Sequence, residues 1–303
     1  MQRRGVSQPI SSPAAEIAVD CDLVRSLLRA QHPDISELPL QEAATGWDNF
    51  TFRLGEEMAV RLPRRTATVL QLQHEQKWLP VIAENLPLPV PSPLRLGKPD
   101  NQYPWPWSIL PWLPGETADV TPIRDDQARP FARFLRALHI PAPADAPANP
   151  SRGVPLTHRA ASMEERMHRL EQKTSLINSI VWRAWNSGLQ TVQGEPATWI
   201  HGDLHPRNVL VQSGALSGII DWADIAAGDR ATDLASIWLL LPTIESRESA
   251  ISEYGNVPSA TWLRAVGWAI LFGVLLLETG LVDNPAHAKI GAVTLERIAE
   301  GPH

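Results

Sequence analysis

The stretch His201-Gly202-Asp203-Leu204-His205-Pro206-Arg207-Asn208, followed by Ile219-Ile220-Asp221-Trp222, concentrates the reactive residue types of this 303-residue chain. Asp203 and Asn208 stand at the spacing D-x-x-x-x-N, with His201 two residues ahead, and Asp221 follows Asn208 by 13 positions. Two carboxylates and one carboxamide so spaced suit the transfer of a phosphoryl group from a nucleotide to an alcohol. A triphosphate is approached through Mg²⁺, a hard cation that takes oxygen ligands. Asn208 offers a neutral carbonyl oxygen and Asp221 a charged one. Asp203, kept off the metal, can orient and deprotonate an acceptor hydroxyl, an effect worth roughly 10²–10⁴-fold. His201 and His205 also suggest zinc, but no Cys or Glu stands beside them, and an amide oxygen suits magnesium better.

These groups need elements to hold them. Val209-Leu210-Val211 and Ile219-Ile220 flank a Gly/Ser-containing turn, which predicts a β-hairpin with Asn208 and Asp221 at its open ends. Thr198-Trp199-Ile200 reads as a strand entering the loop. Further upstream, Phe50, Phe52 and Leu54 alternate with Thr51 and Arg53, and Met58, Val60 and Leu62 alternate with Ala59 and Arg61. Both runs have the period of half-buried antiparallel strands, joined at Gly55-Glu56. Arg61 then projects from the face opposite Val60 and Leu62. A helix from about Thr68 to Asn85 puts Glu75 on the same stripe as Leu72, Leu79 and Ile82. A carboxylate on an apolar stripe needs a cation, because a buried unpaired charge costs several kcal/mol. Arg61 is the candidate partner.

Together, W-I-H-G-D-L-H-P-R-N-V-L-V, G-I-I-D-W and G-D-R-A-T-D-L-A resemble the aminoglycoside phosphotransferase family, small-molecule kinases distantly related to protein kinases. The resemblance implies Asp203 as catalytic base and Asn208 and Asp221 as magnesium ligands. It also implies that Asp233 braces the loop without touching substrate. G-W-D-N, F-R-L-G and A-V-R-L-P extend the likeness toward the amino terminus, with Arg61 where most related kinases carry Lys. Arg207 stands where the family commonly has Gly, and Arg230 where it has Pro. The implied fold is α+β and bilobal, protein-kinase-like, with a small antiparallel sheet followed by a mainly helical lobe.

No G-x-x-x-x-G-K-[ST] or complete G-x-G-x-x-G occurs, so the turn containing Gly46 and Asn49 must cover the phosphates with one glycine. The Trp- and Pro-rich run from residue 104 to 116 reads as an interlobe hinge. Backbone groups from Ile109 and Leu110 through Trp112 to Leu113 are expected at the nucleotide base, with one donor removed by Pro111. The domain expectation is therefore a leader over 1–18, a nucleotide-binding lobe over 19–110 and a helical lobe over 111–303. In the latter, helices are expected over roughly Phe131–Leu138, Met163–Ile180, from Thr232-Asp233 through Leu241, and Trp262–Leu277. Asp224, Glu245 and Glu278 are acids that could line the acceptor pocket, and the Pro-rich segments 87–93 and 141–150 read as surface connectors.

The formal net charge of −6 argues against a general nucleic-acid binder. The single cysteine, Cys21, excludes an internal disulfide and suits a reducing compartment. The longest apolar run, Ala265 to Leu277, spans 13 residues and reads as a buried helix rather than a membrane span. The sequence thus predicts a cytoplasmic, Mg²⁺-dependent enzyme, monomer or homodimer, using ATP or GTP on a small-molecule hydroxyl. An aminoglycoside, macrolide or cyclic-peptide antibiotic is the expected acceptor. An amino alcohol or sugar is the metabolic alternative, and a nucleotide-binding pseudokinase the non-enzymatic one. Without D-F-G or A-P-E segments, an activation loop of the protein-kinase kind is not expected.

Overall fold

The computed structural model describes residues 14–46, 48–255 and 257–301. Much of the expected leader, and Trp47 of the phosphate-covering turn, lie outside the described residues.

The chain begins with helix α1 (Cys21–Gln31), whose N-cap Asp20 accepts a hydrogen bond from Leu23 N–H at 2.9 Å. Strands β1 (Leu40–Thr45), β2 (Asn49–Leu54) and β3 (Met58–Pro63) follow, then helix α2 (Val69–Ala83) and strands β4 (Arg95–Gly97) and β5 (Trp107–Pro111). They form one antiparallel sheet in the order β1-β2-β3-β5-β4. The strands and their facing residues are as the period-two reading has them, but β3 is buried on both faces from Ala59 to Pro63 rather than half-buried. Phe52, Val60 and Ile109 share one face with Leu54, Leu62 and Trp107, and this face buries Val24, Leu27 and Leu28 of α1. Each such side chain contributes roughly 1.5–3 kcal/mol on burial. The opposite face carries Thr51, Arg61 and Ser108 in register, toward α2. Gln76 of α2 donates there to Ser108 Oγ at 2.9 Å, and Glu75 lies fully buried on the helix stripe, as expected.

Gly97 faces Trp107 across the β4–β5 ladder, where a Cβ would sit 1.8 Å from the indole. Only glycine fits. Gly97→Ala is expected to destabilise by about 1–3 kcal/mol through overpacking, read as a lower urea midpoint at unchanged m-value.

Past Pro111 the chain leaves this sheet. Strand β6 (Glu116–Thr117) is followed by helices α3 (Ala128–Leu138), α4 (Ala160–Glu171) and α5 (Ser179–Leu189) and strand β7 (Thr198–Ile200). Strands β8 (Val209–Gln212), β9 (Ala215–Ile219) and β10 (Ala226–Gly228) come next, and helices α6 (Ala231–Leu234), α7 (Ser236–Leu240), α8 (Ile244–Tyr254), α9 (Ser259–Asp283) and α10 (Pro285–Ala299) close the chain. The small sheets are β6-β8-β9 and β10-β7.

Three expectations change. The helix read over Met163–Ile180 is two helices, because Asn178 caps α5 by accepting from Ile180 and Val181 N–H. The helix read from Thr232-Asp233 breaks after Leu234, and Leu241 is already extended ahead of Pro242. The central helix is also longer than its apolar run: α9 has 25 residues and is long and apolar enough to cross a membrane. Most of that span is buried against α10, α5, α6 and α4, and its Arg264 is paired with Asp229 at 2.5 Å. These contacts are those of a core helix. Trp78 of α2 meets Trp199 of β7 at 5.1 Å between ring centroids, joining the sheet side of the molecule to the helical side.

Candidate active site

The 3-10 turn Pro206–Asn208 runs directly into β8, and Val209 pairs with Ile219 across the hairpin. One step beyond, Ile220 N–H donates to the Asn208 carbonyl at 2.9 Å, immediately before Asp221. The hairpin thus brings Asn208 and Asp221 together, although its turn is tighter than expected, with Ser213 and Gly214 at φ 52° and 79°.

The loop itself is tied down from several sides. Asn208 Nδ2 donates to the Asp203 carbonyl at 2.8 Å and to Asp203 Oδ2 at 3.3 Å, which leaves Asn208 Oδ1 as the atom available to a cation. His201 Nδ1 accepts from Asp203 N–H at 3.2 Å, so its proton sits on Nε2 and is donated to the Ile220 carbonyl at 3.0 Å. One imidazole therefore links the Asp203 loop to the Asp221 segment. Gly202 has φ 86°, and a Cβ there would lie 2.9 Å from the Asp224 carbonyl. Beneath it, fully buried Asp233 accepts from His201 N–H at 2.7 Å and Gly202 N–H at 2.8 Å. His139 supports Asp233 from behind at 3.4 Å and contacts the Tyr254 hydroxyl at 2.8 Å. Asp233→Ala would strand two buried amides. It is expected to cost at least about 2 kcal/mol in chemical denaturation and to lower turnover with it.

Across the cleft, Arg61 and Glu75 form the expected pair, two parallel bonds of 3.2 and 2.8 Å. Burial opposes the charge on Arg61, but Glu75 and Asp221 outweigh it and hold the guanidinium above its ordinary value. Arg61 Nη2 also lies 3.6 Å from Asp221, whose side chain is 53% exposed. Asp221 has φ 61°, the left-handed region that Asp tolerates better than most residues, and such backbone conformations cluster at functional sites. The set suits magnesium: one amide oxygen and one open carboxylate, with room for phosphate and water oxygens. Among the described residues, no group of three His, Cys, Asp or Glu side chains gathers to hold a metal.

Asp203 carries a partner that the sequence reading missed. Arg152 Nη2 meets Asp203 Oδ1 at 2.9 Å, while His205 Nε2 lies 3.4 Å from Oδ2. Burial alone would raise this carboxyl, but His205 and Arg152 outweigh burial and hold it well below the usual carboxylate range. Arg152 is presented by Asn149, which accepts from Ser151 and Arg152 N–H and donates to Asp224 Oδ1 at 2.7 Å. The segment 141–150 is thus more than a surface connector. An Asn followed by Pro-Ser-Arg-Gly is the turn signature that could have revealed it. Asp224 joins the site, its carboxyl raised by burial against the pull of Arg152. Glu278 instead pairs with Arg166 and Arg169, and Glu245 is exposed in the first turn of α8. Removing Arg152 by Arg152→Ala is expected to raise the Asp203 pKa, moving the acid limb of the kcat/KM profile to higher pH.

On the nucleotide side, Gly46 N–H donates to the Asn49 carbonyl at 2.9 Å, closing the turn, and Asn49 Oδ1 is buried without a hydrogen-bond partner. Asp48 in this turn is raised by burial, with the charge of Asp221 adding to it, so the turn and Asp221 face the same space. The hinge differs in detail from expectation. Trp112 N–H is bonded to the Glu57 carbonyl at 2.7 Å and the Ile109 carbonyl to Leu94 N–H at 2.8 Å. Leu110 pairs with Ala59 in the ladder. Arg53 stacks on the Trp112 ring at 4.9 Å. Ile109 and Trp112 therefore direct these two groups into the sheet and away from a base.

Comparison with known proteins bears on the fold and the family. The chain is 26% identical over 230 residues to the uncharacterized protein YcbJ of Bacillus subtilis (strain 168), covering 66% of this chain and 68% of that protein. A solved GDP complex of aminoglycoside 2'-phosphotransferase-IIIa superposes with TM-score 0.65 at 20% identity, covering 91% of this chain and 98% of the other. Macrolide 2'-phosphotransferase MphH of Brachybacterium faecium gives TM-score 0.59 at 19% identity, with 90% and 98% covered. These likenesses establish the α+β kinase-like fold. The model of the phosphotransferase enzyme family, APH, matches residues 39–268, and the chain belongs to that family, whose members transfer phosphoryl groups to hydroxyls of small molecules.

Proposed function

We propose that this protein transfers the γ-phosphoryl group of ATP or GTP, with Mg²⁺, to a hydroxyl of a small molecule. The observation that carries the reading is the meeting of three elements at one cleft: the Asp203–Asn208 loop, Asp221 at the hairpin end, and the Arg61–Glu75 pair. Asn208 and Asp221 would hold the magnesium, which neutralises phosphate charge. Arg61, fixed by Glu75, steadies the phosphates. Asp203 aligns the acceptor hydroxyl. As the acceptor oxygen bonds to the γ-phosphorus, the bond to the bridging oxygen breaks, nucleoside diphosphate leaves, and the hydroxyl proton passes to Asp203. The base edge is read beyond Pro111, by its carbonyl and the Leu113 amide.

Antibiotic acceptors, an aminoglycoside, a macrolide or a cyclic peptide, form one class, and phosphorylation of any of them would give resistance. A metabolic acceptor, an amino alcohol or a sugar, is the second. The test is acceptor-dependent release of diphosphate by purified protein with Mg²⁺ and each nucleotide. Chelation of Mg²⁺ is expected to abolish it. Nucleotide binding without turnover across a broad panel would sink the reading and favour a binding module.

A further inference from the structure

Both oxygens of the Asp203 carboxylate are already engaged. Arg152 Nη2 donates to Oδ1 at 2.9 Å, while Asn208 Nδ2 and His205 Nε2 lie 3.3 and 3.4 Å from Oδ2. The Asp203 side chain is 24% exposed and that of Arg152 only 16%, so little of the carboxylate meets solvent. An acceptor hydroxyl that gives up its proton here needs one of these oxygens at hydrogen-bond distance. One donor must then withdraw. Asn208 Nδ2 also donates to the Asp203 carbonyl at 2.8 Å, and His205 Nδ1 accepts from Arg207 N–H at 3.2 Å, so both are built into the loop. Arg152 has another partner. Its Nε lies 3.8 Å from Asp224 Oδ2, the second carboxylate on this wall, whose Oδ1 is fixed by Asn149 Nδ2 at 2.7 Å. The backbone beneath Arg152 need not move for the exchange. Gly153 N–H donates to Thr232 Oγ1 at 3.1 Å, and Asp229 N–H to the Gly153 carbonyl at 2.9 Å. A Cβ built on Gly202 would lie 3.1 Å from Asp224 Cβ and 3.4 Å from Arg152 Cβ, so both side chains start beside the loop. The guanidinium also stacks on Phe272 at 4.9 Å, a contact loose enough in direction to survive a turn between the two carboxylates.

We propose that Arg152 is a specificity-determining residue of the transfer, holding Asp203 Oδ1 while the acceptor site is empty and passing to Asp224 when an acceptor hydroxyl takes that oxygen. It thereby keeps water from being phosphorylated in the acceptor's place. The inference rests on the phosphotransferase reading and concerns the same carboxylate. Water at Asp203 would react as an acceptor does. Its oxygen bonds to the γ-phosphorus, the bond to the bridging oxygen breaks, and its proton passes to Asp203 as inorganic phosphate and nucleoside diphosphate leave. A water molecule has too few contacts to offset the loss of the Arg152 pair, whereas an acceptor bound over its whole surface has enough.

The test uses water as the acceptor. Full-length protein with Mg²⁺ and saturating ATP or GTP, and no other acceptor, is assayed for inorganic phosphate. Arg152→Met keeps an apolar stem against Phe272 and removes the guanidinium. It is expected to raise hydrolysis about tenfold, with Arg152→Lys in between. Adding Asp203→Asn to Arg152→Met is expected to cancel the rise, because the rise runs through that carboxylate. Asp224→Asn removes the alternative partner and is expected to lower hydrolysis. Thermal melts and nucleotide titrations confirm that each variant is folded and loaded. Hydrolysis unchanged or lowered in Arg152→Met, a rise that persists with Asp203→Asn, or a rise in Asp224→Asn would overturn the proposal. Acceptor-dependent turnover by wild type, with no rise in Arg152→Met, keeps the kinase reading and loses this one. An Asp203-dependent rise in Arg152→Met, with no small molecule ever phosphorylated, keeps the hold of Arg152 on Asp203 and loses the kinase reading. Silence in every assay sinks both.

Discussion

Asp203→Asn is expected to lower acceptor-dependent turnover by roughly 10²–10⁴-fold while nucleotide affinity stays near the wild-type value. The substitution preserves the shape that Asn208 Nδ2 and Arg152 surround, yet removes the charge proposed to align the acceptor hydroxyl and take its proton. Because Arg152 and His205 hold the Asp203 carboxyl well below the usual range, the wild-type group is ionised across the working pH range. Its loss therefore cannot be repaired by raising the pH. Initial rates with either nucleotide, beside a fluorescent-nucleotide titration, decide the matter. An Asn variant turning over within about threefold of wild type would remove Asp203 from the chemistry.

Glu75→Ala has the larger expected effect on stability. Glu75 is fully exposed to Arg61 and hidden from water, and breaking a buried pair by deleting one partner costs roughly 3–5 kcal/mol. The orphaned guanidinium has one nearby alternative, Asp221 at 3.6 Å. Swinging toward it would take Asp221 from its proposed metal role, so the KM for Mg-nucleotide is expected to rise together with the fall in stability. Glu75→Gln, which keeps one acceptor for Arg61, is expected to lie between. Urea denaturation and nucleotide KM are the readouts, and an alanine variant unchanged in both would show that the pair neither holds the helix nor serves the nucleotide.

How far the site was legible in the chain depended on how local each constraint is. Asp203 and Asn208 are five residues apart on one loop, and the alternating apolar runs around Ser213-Gly214 specify a hairpin whose geometry fixes Asp221 beside Asn208. The Arg61–Glu75 pair was legible for a similar reason. A strand of period two and a helix of period 3.6 each point their side chains predictably, and a carboxylate on an apolar stripe demands a cation. The helix break at Asn178 was hidden because apolar periodicity continues across it and only its capping bonds interrupt it, and the break after Leu234 because the apolar run Ile237-Trp238-Leu239-Leu240 carries straight on.

By itself, then, the sequence determined the reaction class and which side chains gather at the Asp203 loop and the hairpin end, because those depend on short spacings and local periodicity. Tertiary structure alone decided what surrounds Asp203. Arg152 reaches Asp203 across 51 residues of sequence through a turn held by Asn149, and Asp233 reaches the loop across more than 30. The same long-range packing turned the Trp112 amide into the sheet. Such contacts follow from how helices and loops pack, and no local pattern encodes that.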